Sequence, residues 1–113
     1  MDKEKIHQRF LRDPLPRRLG GLAATFGRIS SSARRSNDPA VVTDLLDEAR
    51  RLIEWTAGET EPEMAGELMR IQTLLTIWRK AWATASQDNW QRLLLSVQAK
   101  DWSDRLVDFS GLV

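Results

Sequence analysis

The chain has no cysteine and no tyrosine, and one histidine among 113 residues. Without cysteine there are no disulfides, no thiolate metal sites, no cysteine nucleophile and no thioether-tethered cofactor. This composition fits a reducing cytosol. A di-iron centre of the Glu-x-x-His kind draws a histidine from each of two helices, so His7 alone cannot build one. A Ser-His-Asp triad would rest on His7 too, and no nucleophile-elbow motif accompanies it. No apolar run approaches the roughly 18 residues of a membrane span. The start, Met1-Asp2-Lys3-Glu4-Lys5, mixes both charges and leads into no apolar stretch, unlike a signal peptide. A cytoplasmic protein with no membrane, metal or cofactor partner is expected.

What remains is ordinary for a globular domain: 42% apolar residues, 17 basic and 16 acidic side chains, net charge +1. At this length one domain with one core is expected. Four helical segments follow a short amphipathic piece, Lys3 to Arg12, and no segment alternates as a strand does. Asp13-Pro14-Leu15-Pro16 opens a helix from about residue 15 to 35, with Asp13 as its expected cap. Ser36-Asn37-Asp38-Pro39 opens a second, about 39 to 57, which Gly58 is expected to end in the left-handed conformation. Thr60 or Glu61 with Pro62 starts a third, about 62 to 85. The polar cluster Ser86-Gln87-Asp88-Asn89 caps a fourth, about 89 to 110, before Gly111. Long helices with short connections pack as antiparallel neighbours, which predicts an all-α, up-down four-helix bundle with a short N-terminal helical extension, residues 1–13.

Apolar spacing supports this. Leu15, Leu19, Leu22, Phe26, Ile29 and Ala33 step alternately by four and three, as do Met64, Leu68, Ile71, Leu75, Trp78, Trp82 and Ala85. The helix between them offers a broader face: Val42, Leu45, Leu46, Ala49, Leu52, Ile53 and Thr56. Gly20, Gly21 and Gly27, with Ala23, Ala24 and Ser30 to Ser32, smooth one helix surface. That surface suits close backbone approach more than a ligand groove, and leaves a kink at Gly20-Gly21 open.

Charge is blocked along the chain. Residues 14–37 carry five arginines and no acid, residues 38–68 nine acids against two arginines, and residues 69–100 five basic side chains against Asp88. Mutual neutralisation across neighbouring helices is the plainest reading. Carboxylates four apart, Asp44 with Glu48 and Glu63 with Glu67, share a face without any calcium-loop pattern, which suits a solvated acidic face. Arg28, Arg34 and Arg35, near three serines, offer guanidinium and hydroxyl donors for an anion or nucleic acid. Two features oppose this: the net charge is small, and a helix C-terminus repels anions. Nucleic acid is therefore a disfavoured partner.

Of five tryptophans, Trp78 and Trp82 belong to a seam. A slot for a chromophore or lipid between these rings is a weaker alternative to plain core. The last helix has two apolar faces that do not coincide. Leu95, Ala99, Trp102, Leu106 and Phe109 follow one line at 100° per residue, while Trp90, Leu93, Leu94 and Val97 cluster opposite. Either the helix is covered all round, or the second cluster, with Arg92 at its rim, is an interface. A homodimer is the commonest cover for such a patch.

The runs Arg9-Phe10-Leu11-Arg12-Asp13-Pro14-Leu15-Pro16, Leu19-Gly20-Gly21-Leu22-Ala23 and Ile53-Glu54-Trp55-Thr56-Ala57 resemble a small uncharacterised all-helical protein family of cyanobacteria. The resemblance covers most of the first 60 residues and weakens afterwards. It implies a cytosolic single-domain protein and brings no activity, ligand or catalytic residue. From the residues, the expected function is a non-catalytic, self-associating interaction module: an adaptor, regulator or accessory subunit. The alternative is an anion or nucleic-acid binder using Arg28, Arg34 and Arg35.

Overall fold

Helix-forming sequence between proline breaks becomes five helices in the computed structural model, which describes residues 3–35 and 37–110. They are α1 (Lys3–Arg12), α2 (Leu15–Ala33), α3 (Pro39–Thr56), α4 (Pro62–Ala85) and α5 (Asn89–Ser110), with a 3-10 turn, Ala57–Glu59, after α3. No strand occurs among the described residues. Prolines at the first positions of α2, α3 and α4 cost no intrahelical hydrogen bond, since the N–H groups there have no partner in the helix.

The caps differ from expectation in detail. Pro14, not Asp13, occupies the N-cap of α2, and Asp13 instead pairs with Arg17 at 3.8 Å. Asp38 stands at the N-cap of α3 but its side chain makes no capping hydrogen bond. Gly58 does not end α3 in the left-handed region. It lies inside the 3-10 turn, where the chain keeps coiling right-handed after Thr56. Asp88 does cap α5, its carboxylate accepting the Trp90 N–H at 2.9 Å. The Gly111 stop and Ser36 lie outside the described residues. Helix α2 runs unbroken through Gly20-Gly21, and ends at Ala33 rather than Arg35.

Around the core α2 packs on α3 and most extensively on α5, α3 packs on α4, and α4 on α5. The buried apolar residues of these four helices form one cluster. It contains all seven seam residues of α4 and the seam of α2 from Leu19 to Ala33, with Leu15 packed at its edge. On α3 only Leu45 of the expected face is partly exposed. Small residues set the close α2–α5 contact. Ser103 donates to the Ala23 carbonyl at 2.8 Å, and Arg34 Nε donates to the Ser96 hydroxyl at 2.7 Å.

Charged blocks meet across helix boundaries. Arg28 pairs with Glu48 at 3.1 Å, Arg79 with Asp47 at 2.9 Å, Arg105 with Glu67 at 2.7 Å, and Arg18 with Glu59 at 2.5 Å. Arg18 is buried, and its pair ties the 3-10 turn to α2. Helix α1 has no buried residue. It rests on α3 through His7, stacked on Trp55 at 4.3 Å, and through Phe10, whose ring lies 5.9 Å from Trp55 and beneath the Arg18 guanidinium.

Candidate interaction surface on the last helix

Helix α5 meets α2 and α4, so its third side faces outward. Leu95, Ala99, Trp102 and Leu106 are buried, and Phe109, placed on the same line by its spacing, is exposed near the helix end. The second cluster is on the outer side: Trp90 is 69% exposed, Leu93 44%, Leu94 48% and Val97 57%. The sequence left core and interface open for these four. They are surface, and together line a shallow apolar groove of about 130 Å³. Their spacing of three, one and three residues covers the first two turns of one helix face. Beyond Val97 that face becomes charged, with Lys100 paired to Asp104 at 3.3 Å and Arg105 to Asp101 at 3.1 Å.

Arg92 does not stand at the rim of this groove. It is 8% exposed and turned inward, donating to the Ser86 carbonyl at 2.7 Å and to the side-chain oxygen of Asn89. The signal was in the spacing, because Arg92 precedes Leu95, Ala99, Trp102 and Leu106 by the same three-four steps that define the buried line. Arg92 thus occupies a position on the buried line despite its charge.

The arginines of the anion-binding alternative do not converge. Arg28 is engaged by Glu48 and by Thr25, at 3.1 and 3.0 Å, and Arg34 by Ser96 on α5. Arg35 is exposed beyond the end of α2. A carboxylate on α3 thus neutralises Arg28, and a neutral hydroxyl on α5 engages Arg34.

Titration follows the ion pairs rather than the groove. The Arg18 hydrogen bond holds the Glu59 carboxyl below its ordinary value. The Arg70 hydrogen bond, with help from Arg105, does the same for Glu67 against the opposing effect of its burial. No group of three or more His, Cys, Asp or Glu side chains among the described residues is placed to hold a metal ion. Among them, no helix is long and apolar enough to cross a membrane. His7 lies against Trp55, half-buried. No family model, curated protein or solved structure matches this chain.

Proposed function

We propose that the chain is a non-catalytic protein–protein interaction module, an adaptor, regulator or accessory subunit of the cytoplasm, which self-associates as a homodimer through the outer face of α5. Helices α2 to α5 serve in this reading as an up-down four-helix bundle that holds the face rigid. The observation that carries it is the set of four large apolar side chains, Trp90, Leu93, Leu94 and Val97, exposed together on two consecutive helical turns. Such patches on a folded surface mark association sites, and a tryptophan flanked by aliphatic side chains is the usual anchor. A second copy is the occupant because the patch carries no charge that would ask for an opposite one, and apolar surfaces complement themselves across a two-fold axis. The charged second half of α5 would then form the rim.

Light scattering across a dilution series tests this directly. Wild-type protein is expected at twice the monomer mass and Leu94→Glu at the monomer mass, with helical circular dichroism retained in both. A wild-type monomer at every concentration, or a Leu94→Glu variant that stays dimeric, would sink the reading.

A further inference from the structure

The end of the molecule where α3 begins and α4 turns into α5 holds a cleft of about 750 Å³, open to solvent and within the size range of small-molecule sites. Pro39, Ala40 and Thr43 form one wall, the last two turns of α4 another, and Asn89 and Arg92 the third. Three cationic side chains, Arg79, Lys80 and Arg92, line it, and none of the described lining residues is acidic. Asp47 reaches Arg79 from outside the lining, and the Asp88 carboxylate is turned to the N–H of Trp90.

Arg92 is the decisive residue. The residue is more than nine-tenths buried, yet its acceptors, the Ser86 carbonyl and the Asn89 amide oxygen, are neutral, and its buried Nε has no hydrogen-bond partner. A buried charge without a counter-charge is costly unless something supplies one. The other buried arginine, Arg18, faces the Glu59 carboxylate, and half-buried Arg79 faces Asp47. Lys80, exposed on the cleft wall, is likewise unpaired among the described residues.

The N-terminus of α3 adds to this field. Its 18 residues start at the cleft, and Asp38 leaves the first N–H groups without a side-chain cap. The positive end of the helix and its free donors favour an anion there. Trp82 forms the floor and donates from Nε1 to the Pro39 carbonyl at 3.2 Å, fixing the α3 terminus against α4.

We propose that this cleft binds a small anion bearing one or more phosphoryl groups, held by Arg92, Lys80 and Arg79 and by the first N–H groups of α3. A phosphoryl group presents several oxygens in different directions, which suits donors converging from three helices better than a single flat carboxylate does. The site is independent of self-association and uses none of the arginines of α2.

Isothermal titration of the full chain at low salt, with inorganic phosphate, pyrophosphate and ATP as probes, tests the proposal. At least one is expected to bind with unit stoichiometry, and which of them binds tightest separates a bare phosphoryl ligand from a nucleotide. Lys80→Glu, at an exposed and unpaired position, is expected to weaken binding about tenfold or more while the fold is kept. Arg92→Gln is expected to abolish it. Arg12→Glu on α1 changes the net charge equally at a distance from the cleft, and is expected to leave affinity within about twofold. No binding of any probe overturns the proposal, as does an equal loss in Lys80→Glu and Arg12→Glu, which would mean diffuse charge attraction. If Arg92→Gln fails to fold, Lys80→Glu against Arg12→Glu still decides.

Discussion

Ser30 on α2 and Ser96 on α5 exchange hydrogen bonds: the Ser30 hydroxyl donates to the Ser96 carbonyl at 2.8 Å, and the Ser96 hydroxyl to the Ser30 carbonyl at 2.7 Å. Both side chains are buried, and Arg34 Nε adds a third bond onto the Ser96 oxygen. Two small hydroxyls let the helices come close enough for each to reach the other's backbone. Ser96→Ala removes one donor and the acceptor of Arg34. A loss of about 1–3 kcal/mol in urea unfolding is expected. A change below about 0.5 kcal/mol would mean that the exchange adds nothing to the α2–α5 contact.

Glycine within α2 is less constrained than its position suggests. A Cβ at Gly21 would meet nothing within 4 Å, and one at Gly27 only the Ser103 hydroxyl at 3.9 Å. Close approach of α5 is therefore supplied by Ala23, Ser30 and Ser96 rather than by these glycines. Gly21→Ala and Gly27→Ala are each expected to stabilise the protein by about 0.5–1 kcal/mol through helix propensity. A lowered thermal midpoint in Gly21→Ala would contradict a continuous helix at that point.

The Arg18–Glu59 pair sets part of the acid response. Glu59 titrates lower in the folded chain than in the unfolded one, because Arg18 bonds its ionised form. The unfolded state then binds the proton more readily. The pair's stabilisation is present above the ordinary carboxylate pKa of 4.5 and is lost as pH falls through the lowered folded value. Glu59→Gln should be less stable than wild type near about pH 6, and the gap should be smaller at about pH 3. Paired urea titrations at the two pH values read this out, and a gap unchanged by pH would refute it.

Docking of α1 depends on Trp55. With no residue of α1 buried, the His7 stack and the Phe10 contact hold the helix to the rest of the chain. Trp55→Ala is expected to speed tryptic cleavage after Lys5, Arg9 and Arg12 while the remaining helices still unfold in one cooperative step. Unchanged cleavage would show that α1 is held by something other than this aromatic cluster.

If α5 carries the dimer contact, stability must depend on concentration. The wild-type melting temperature should rise with protein concentration, and that of Leu94→Glu should not. Equal and flat concentration dependence in both would speak against self-association through this face.

Local spacing was enough to delimit the five helices and to name nearly all of the buried apolar line on α2 to α5, because a 3.6-residue period and a proline in the first turn act within a few residues. Spacing also separated the two faces of α5, and showed that Trp90, Leu93, Leu94 and Val97 belong together. Which of those faces met the core was decided by packing: once α2 and α4 cover one line of α5, the other has no helix left to bury it. The inward turn of Arg92, the Arg18–Glu59 pair and the dispersal of Arg28 and Arg34 likewise depend on partners 6 to 62 positions away in the chain. The cationic cleft is assembled from the start of α3, the end of α4 and the start of α5. Nothing in any one of these segments reveals it, because a field made by converging side chains exists only after the helices have packed.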